Sequence, residues 1–205
     1  MHLRSLCIYR IVQGDFQNLS KIFEKDTFDS AYAIEAICHS PDRVQTFKEV
    51  SHVLKKGGLF VSADWVVLPD KGFDSNNPDH CRIKEGIEVG NGLPTLVTPA
   101  DVQRALEDAG FEVIASADYE GSTQSKYEIP WYGTLQGDLS LTGFRMTTAG
   151  RMCTHALIWF LETIRIAPKG STRVSALLNA TALDIVEAGE KGIFTPSFVT
   201  VARKK

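Results

Sequence analysis

The chain has 205 residues, 43% of them hydrophobic and 23% charged, with a formal net charge of −3. That length and composition suit one globular domain with a substantial core, and the absence of a basic excess argues against a nucleic-acid partner. No segment approaches the roughly 20 apolar residues of a membrane span. The cysteines lack the spacing of a metal site, so we expect reduced thiols in a cytoplasmic chain without a bound metal.

The first third of the sequence alternates between strand and helix patterns. Three segments rich in β-branched and aromatic residues are predicted strands: Leu6–Val12, Phe28–Ala36 and Leu59–Val67. Between the last two, apolar residues repeat at helical spacing, with Ser40 as the expected N-cap and Gly57-Gly58 as the expected end. This order of elements predicts a parallel α/β sheet.

The middle of the chain predicts two helices and a strand. A polar loop over Leu68–Asp79 leads into a short helix at Asp79–Val89, stopped by glycine. Thr98 and Asp101 form a near capping box for the next helix. Phe111–Ala117 is predicted to be another strand.

The last third, after a polar link at Gly121–Lys126, is helical and apolar. Helices are predicted at Thr147–Ile166 and at Ser171–Ala188, the second capped by Ser171. The chain ends in a predicted strand at Ile193–Ala202, where Pro196 indicates an edge strand or a bulge. A helical insertion before a return to the sheet is typical of a substrate cap on an α/β domain.

The segment Tyr32–Asp42 (YAIEAICHSPD) combines an aromatic ring, a carboxylate, a thiol and an imidazole. It follows a predicted buried strand, and ligands bind at such carboxyl ends in open α/β sheets. The alternative is an ordinary loop in which Ser40-Pro41 begins a helix. We favour a binding site.

Several segments in order carry a more specific signal. They are GDF at Gly14–Phe16, Phe28–Arg43, VLKKGGLF through to Asp64-Trp65, NNPDH, IEVGNGLP, AGFEVIASAD, EIPWY, GFRMTTAGR, IAPKGSTRVSALL and IFTPSFVTVARK. Together they resemble the sterol C-24 methyltransferases, which transfer a methyl group from S-adenosylmethionine to a sterol side chain. The last third is the most specific part, since generic methyltransferases lack it. Asp64 departs from the family, which has glutamate there.

The resemblance implies a fold of the α/β class. We expect a partial Rossmann-like methyltransferase sheet, a helical C-terminal substrate subdomain and a final antiparallel strand. The family's sheet order is 3-2-1-4-5-7-6, and its first two strands and glycine-rich loop have no counterpart in this sequence. The expected division is residues 1–118, 119–190 and 191–205 for these three parts.

The expected loss of strands 1 and 2 has a structural consequence. Leu6–Val12 would be strand 3 and Tyr32–Ala36 strand 4, and without their intervening neighbours strand 4 has an uncovered apolar edge. We therefore expect Leu6–Val12 to lie beside Tyr32–Ala36 or to be disordered.

The implied reaction is the attack of an alkene on the methyl group of a sulfonium. The site must align the two, stabilise a carbocation and accept a proton, and aromatic faces and carboxylates suit the cation. The expected catalytic residues are Glu35, Tyr32, His39 and Asp64. Those expected at the cofactor are Asp15, Phe16, Ile34 and Glu35. Those expected at the sterol are Trp65, Glu88, Trp131, Tyr132 and Phe144.

Each of these residues also has a purely structural interpretation. Glu35, a carboxylate within an apolar strand, would be costly without a role or a partner, but it could accept a hydrogen bond from a loop amide. His39 could accept the proton or bond to backbone. Asp15 could be a turn residue, and the aromatic residues could be core. The apolar Ala156–Ile166 face is interpreted as core, with membrane docking as the alternative.

Three functional hypotheses follow. The first is C-24 methylation of a sterol in sterol biosynthesis, by an N-terminally truncated enzyme. The second is methylation of another prenyl lipid, which the EIPWY and GFRMTTAGR segments weigh against. The third is a non-catalytic sterol-binding remnant or a subunit that a partner completes. The first implies a cytoplasmic protein at the endoplasmic reticulum membrane, with peripheral membrane contact and self-association as further expectations.

Overall fold

The computed structural model describes residues 9–120, 129–140 and 142–205. Within these residues, four strands form one sheet. They are β1 (Phe28–Ile34), β2 (Leu54–Val67), β3 (Phe111–Asp118) and β4 (Phe194–Lys204). The fold is therefore of the expected α/β class.

Six α-helices lie in the described part of the chain: α1 (Arg43–Val53), α2 (Pro78–Asn91), α3 (Pro99–Asp108), α4 (Gly133–Gln136), α5 (Thr148–Thr163) and α6 (Ser171–Glu190). Short 3-10 helices cover Phe16–Lys21, Ile37–His39, Pro69–Lys71 and Phe144–Met146. The capping box of Thr98 and Asp101 is confirmed at the start of α3. Gly92, at φ 64°, ends α2 in the left-handed conformation that glycine adopts without strain.

The strand order is β1-β2-β4-β3. β1 and β2 are parallel, whereas β4 is antiparallel to both β2 and β3. This order equals the last four positions, 4-5-7-6, of the expected methyltransferase sheet, and the final antiparallel strand is confirmed.

β4 is a central strand, so the interpretation of Ile193–Ala202 as an edge strand is wrong. The second interpretation of Pro196, as a bulge, is confirmed. Asp64 pairs with Phe198 and Val66 with Thr195, so two residues of β4 lie opposite one residue of β2. The bulge leaves Pro196 outside the regular ladder, where its missing N–H has no effect.

The uncovered edge of the sheet is confirmed at β1. Among the described residues β1 pairs with β2 alone, and Tyr32 and Ile34 are 78% and 65% exposed. Of the predicted strand Leu6–Val12, residues 6–8 lie outside the described residues, and Tyr9–Val12 is not in a strand. The predicted strand beside β1 is therefore wrong for the described part. The polar link Gly121–Lys126 also lies outside the described residues.

Three predicted helix ends are wrong. Asp42, not Ser40, caps α1, and its side chain accepts a hydrogen bond from the Gln45 N–H. Ser40 is instead buried and bonds to the Thr46 hydroxyl. The same helix ends at Val53, because the next residues already pair as β2. At α6 the N-cap is Gly170, and Ser171 donates to the Pro168 carbonyl instead.

The main core lies between the sheet and helices α1 and α3. Phe47, Phe60 and Phe111 are at most 1% exposed, and the Phe60 ring contacts each of the other two at a ring-centroid distance of 5.9 Å. A second core cluster connects α2, the end of β2 and the start of β4, and it includes Ile87 and Ala188. This second cluster fixes α6, and with it the helical subdomain, to the sheet.

α2 and α6 approach each other closely. Gly86 and Gly90, one helical turn apart on α2, face Asp184 and Thr181 of α6 so closely that a Cβ atom at either glycine would clash. Beside this contact, Arg82 forms ion pairs with Asp184 and Glu187. Small residues at this spacing let two helix backbones pack at short distance.

Helices α5 and α6 form a hairpin whose outer face is exposed. The interpretation of Ala156–Ile166 as core is wrong, since Trp159 and Phe160 are 58% and 52% exposed and Gly150 is the only buried residue of α5. The reason is that α5 packs mainly against one neighbouring helix, α6. No helix in the described residues has the length and hydropathy to cross a membrane.

Candidate functional site

Glu35 marks a strained turn at the carboxyl end of β1. Its φ is 49°, in the left-handed region, and its N–H donates to the Ala63 carbonyl over 2.8 Å. The strand ends one residue earlier and Glu35 is exposed, so the predicted cost of a carboxylate within an apolar strand does not apply. Backbone strain takes its place as the signal, because strained residues persist mainly at functional sites.

A cavity of about 210 Å³ lies next to this turn. Its walls are formed by Glu35, Cys38, His39, Trp65, Asn91 and Leu93. The structure thus brings together three of the predicted site residues, Glu35, His39 and Trp65. The loop that ends α2 completes the cavity, which places the IEVGNGLP segment at the site.

Trp65 contributes an unsatisfied donor to this region. Its indole Nε1 is buried and has no hydrogen-bond partner within the described residues. Its ring packs edge-on against Phe194 at 5.6 Å. Buried polar atoms are rarely left unpaired, so an orphaned donor at a cavity is a candidate ligand contact.

Asp64 lies beside Trp65 but is 9% exposed and is not part of the cavity wall. Its carboxylate accepts a hydrogen bond from the backbone N–H of Trp65 over 3.0 Å. Burial raises the pKa of Asp64, while the Cys38 thiol and the charge of Arg43 oppose that rise. Asp64 is therefore placed to position Trp65.

Cys38 and Arg43 were not among the predicted site residues. Burial, reinforced by Asp64, raises the pKa of the Cys38 thiol to about 12, so it stays protonated at neutral pH and is a poor nucleophile. Arg43 donates from Nη2 to the Thr95 carbonyl over 2.8 Å, and burial lowers its pKa. Arg43 is the last residue of the Phe28–Arg43 segment. Its place in that matching segment was the sequence signal that could have identified it as a site residue.

The segment Gly14–Phe16 does not line the cavity. Asp15 caps the 3-10 helix Phe16–Lys21, with hydrogen bonds from the Gln17 N–H and the Asn18 amide that lower its pKa. Gln17 connects this helix to the junction by a 3.4 Å hydrogen bond to Ser40. Asp15 and Phe16 thus lie on an element that contacts the site region, at a turn that the Asp15 carboxylate stabilises.

Glu88 is engaged in fixing a loop. Its Oε1 accepts hydrogen bonds from Lys84, from the Thr95 hydroxyl at 3.1 Å and from the Leu96 N–H at 2.6 Å. These bonds hold the segment after α2 that carries Leu93. Glu88 therefore shapes the wall of the cavity without being part of it.

Aromatic rings connect the cavity to the helical subdomain. Trp131 packs against Phe194 at 5.8 Å and against Tyr132 at 5.4 Å, and Phe194 also contacts Trp65. Tyr132 in turn lies on Gly189 of α6, where a Cβ would clash with its ring. Phe144, on a separate 3-10 helix, is 45% exposed and is not brought to this group.

Two family models match separate parts of the chain. Residues 141–205 match the family model described as sterol methyltransferase C-terminal, and residues 2–62 match a methyltransferase domain model. The resemblance of the chain to sterol C-24 methyltransferases is thereby confirmed.

Curated relatives agree with this resemblance. Cycloartenol-C-24-methyltransferase 1 of Oryza sativa subsp. japonica is 42% identical over 194 residues, which cover 94% of this chain and 54% of that protein. The sterol 24-C-methyltransferase of Saccharomyces cerevisiae is 39% identical over 201 residues, covering 94% and 51%. The chain thus spans about half the length of the curated relatives it matches.

Solved structures support the fold. The cyclopropane synthase MmaA2 of Mycobacterium tuberculosis aligns with a TM-score of 0.57 at 14% identity, covering 91% of this chain and 58% of that one. A geranyl diphosphate C-methyltransferase of Streptomyces coelicolor A3(2) aligns with a TM-score of 0.54 at 16% identity, covering 91% and 49%. At these identities the likeness extends to the fold alone.

The chemistry of the cavity follows from its lining. A carboxylate, an imidazole and an indole face one small space, a set that can attract a cation and accept a proton. In the part of the chain that the structure describes, no group of three or more His, Cys, Asp or Glu side chains is placed to hold a metal ion.

Proposed function

We propose that the chain acts in the transfer of a methyl group from S-adenosylmethionine to C-24 of a sterol side chain, in sterol biosynthesis. The observation that carries this proposal is the 42% identity to a cycloartenol-C-24-methyltransferase over 94% of the chain. This identity includes the segments that form the cavity beside Glu35. A methyltransferase for another prenyl lipid is the weaker hypothesis, since the C-terminal segments favour sterol.

The cavity fits one part of the proposed cofactor. Sites for small organic ligands usually have volumes of about 300–1,000 Å³, so a cavity of about 210 Å³ holds only part of an S-adenosylmethionine molecule. The exposed Glu35 carboxylate suits the positively charged sulfonium, and the unpaired Nε1 of Trp65 offers a donor. The remaining contacts would come from the exposed edge of β1, at Tyr32 and Ile34, and from Asp15 and Phe16.

When bound, the cofactor would supply an electrophilic methyl group. We assign to Glu35 the electrostatic stabilisation of positive charge, first on the sulfonium and then on the sterol. The face of Trp65 would stabilise the sterol carbocation through its ring quadrupole. His39, at the same cavity, would accept the proton that the sterol loses.

The other predicted residues would act around this centre. Asp64 would hold Trp65 in place by accepting a hydrogen bond from its backbone N–H. Tyr32 would lie on the cofactor side of the cavity. Trp131 and Tyr132 would form the apolar wall for the sterol, with Glu88 fixing the neighbouring loop. Phe144 would contact the sterol only beyond this wall.

The test combines titration with a transfer assay. Purified chain is titrated with S-adenosylmethionine by calorimetry, and transfer of labelled methyl to cycloartenol is measured in detergent. We expect binding, and a loss of transfer of about 10²-fold or more in Glu35→Gln. Glu85→Gln, a matched exposed carboxylate on α2, is the control. Equal transfer in both variants would refute the role of Glu35.

A second candidate function rests on the exposed edge of β1. An unpaired strand edge templates pairing with another chain, so the chain could be a subunit completed by a partner or by a second copy, or a non-catalytic sterol-binding remnant. Sterol binding without detectable cofactor binding in the same titration would favour this candidate. Sedimentation analysis of the free chain would test self-association.

We also propose a cytoplasmic location at the endoplasmic reticulum membrane, with peripheral membrane contact, because the proposed substrate is a membrane lipid. The division at residues 1–118, 119–190 and 191–205 is proposed in the same way. Cell fractionation with salt and carbonate washes tests the location, since a peripheral protein is released without detergent.

A further inference from the structure

The outer face of α5 is apolar along its length. The exposed residues of α5 include no charged side chain; among them are Met152, Cys153, Ala156, Leu157, Trp159, Phe160 and Thr163. The charged residues of this helix, Arg151 and Glu162, and its histidine, His155, are all partly buried. A water-facing helix normally carries charge on its outer face, so this one indicates an apolar neighbour.

The tip of the α5–α6 hairpin adds positive charge to this apolar face. Arg165, Lys169 and Arg173 are exposed, and residues 163–173 contain no aspartate or glutamate. Ile164 and Ile166 are also exposed, the second by 71%. The whole chain has a net charge of −3, so a basic tip stands out from the rest.

The nearest carboxylate, Glu162, interacts with Lys169 and offsets one of the three positive charges of the tip. Glu162 accepts hydrogen bonds from the N–H groups of Gly170 and Thr172 and from the Thr172 hydroxyl, at 2.6 to 2.8 Å. It is therefore held inside the hairpin as a cap for α6. The acidic residues of α6, Asp184, Glu187 and Glu190, lie in its C-terminal half, and the first two pair with Arg82. The hairpin is thus basic and apolar at its tip and acidic towards its base.

An apolar groove opens at the same end of the hairpin. It has a volume of about 620 Å³ between α5 and α6, with Ile158, Leu161, Val174 and Leu178 among its walls and Lys169 at its edge. The groove extends the apolar surface from α5 towards α6. A cationic residue beside an apolar groove matches the two ends of a phospholipid, headgroup and acyl chain.

We propose that the tip of the α5–α6 hairpin docks on an anionic lipid bilayer. Trp159, Phe160, Ile164 and Ile166 enter the interfacial region, and Arg165, Lys169 and Arg173 contact the headgroups. Aromatic and aliphatic residues flanked by cations are the usual composition of interfacial membrane segments. This inference deepens the proposed membrane contact by assigning its surface and lipid charge, and it is independent of methyl transfer.

The test is co-sedimentation of the full chain with vesicles, without cofactor or sterol. Phosphatidylcholine vesicles are compared with vesicles that also contain phosphatidylserine. We expect binding to the anionic vesicles, weakened by at least about 100-fold in Arg165→Glu/Lys169→Glu/Arg173→Glu, since losing each cation near an anionic surface costs about a factor of 5 to 6 and each new carboxylate adds repulsion. Trp159→Ser/Phe160→Ser removes the apolar contact and is expected to lose binding without any change of charge.

Matched controls come from the rest of the chain. Lys25→Glu/Lys48→Glu/Lys56→Glu reverses three exposed cations outside the hairpin, and Ile129→Ser/Leu139→Ser removes two exposed apolar side chains. Both controls are expected to bind anionic vesicles at least half as tightly as the unmodified chain, and therefore much more tightly than the hairpin variants. Circular dichroism of every variant verifies its fold, and a blue shift of fluorescence that disappears in Trp159→Phe places that indole in the bilayer.

Several results would overturn the proposal. They are no binding to anionic vesicles, equal binding to neutral vesicles, or equal losses in hairpin and control variants. If the chain does not bind vesicles but forms a dimer that dissociates in Trp159→Ser/Phe160→Ser, the face would be assigned to contact with a second copy. Vesicle binding is measured without cofactor or sterol. Its result therefore tests membrane docking whether or not the chain transfers a methyl group.

Discussion

The sheet with its helices and the α5–α6 hairpin treat apolar residues in opposite ways. In the sheet region, Phe47, Phe60 and Phe111 are at most 1% exposed. In the hairpin, Trp159 and Phe160 remain more than half exposed although α5 is rich in apolar residues. The number of packing partners, and not hydrophobicity alone, decides which residues a fold buries.

Polar contacts hold the hairpin where apolar packing is sparse. Arg151 donates to the Met146 carbonyl at 2.8 Å and to the Leu135 carbonyl at 2.7 Å, which fixes the start of α5. His155 and Ser175 bond across the two helices at 3.0 Å. The two regions therefore differ in their main source of stability, and this difference can be tested.

The largest expected effect compares two phenylalanines. Phe60→Ala leaves a cavity in the core and should lower the free energy of unfolding by about 3–5 kcal/mol. Phe160→Ala changes an exposed residue of the hairpin and should lie within about 0.5 kcal/mol of the unmodified chain. Urea denaturation followed by circular dichroism measures both. Similar losses would mean that the hairpin face is buried in solution.

The next effect concerns the joint between the two regions. Gly90→Ala places a Cβ against Thr181 and should cost about 1–3 kcal/mol, because overpacking separates α2 from α6. Hydrogen exchange should rise in α6 more than in β2. Glu85→Ala, on the exposed side of α2, is the control. Unchanged hydrogen exchange in α6 would show that the contact between α2 and α6 accommodates the added Cβ atom.

A smaller, local effect is expected at the hairpin turn. Hydrogen bonds from Thr172 and Gly170 lower the pKa of Glu162 to about 2, from an ordinary value of 4.5. The stabilisation that this carboxylate contributes is therefore complete above pH 4.5 and is lost as the pH falls towards 2. Amide exchange at residues 170–174 should become faster across that range, after correction for the intrinsic rate. In Glu162→Gln the corrected exchange should be fast at every pH, and a persistent pH step there would assign the effect to another group.

The smallest effect separates strain from chemistry at Glu35. Glu35→Gly removes the left-handed strain at φ 49° and should stabilise the chain by up to about 1 kcal/mol. Glu35→Gln keeps the strain and should leave stability unchanged. Both should lose methyl transfer. Denaturation curves that show no gain in Glu35→Gly would remove strain as evidence for a functional site.

The site was only partly predictable. Glu35, His39 and Trp65 were expected together because they follow neighbouring strands of one sheet, and the cavity unites them. Asn91 was part of the matching IEVGNGLP segment, and Arg43 was the end of another matching segment; neither was a predicted site residue. Their placement depends on how the loop after α2 folds back. Glu88 bonds to that loop, which periodicity and motif spacing do not reveal.

Sequence alone indicated the resemblance to sterol C-24 methyltransferases through its matching segments. It also indicated the α/β class and most strands and helices, because apolar periodicity and capping residues act over a few neighbouring positions. Tertiary structure decided what depends on distant partners. It placed β4 between β2 and β3, moved the cap of α1 from Ser40 to Asp42, and left the apolar face of α5 exposed. Local patterns specify which face of an element is apolar, but only the packing of the whole chain specifies what covers it.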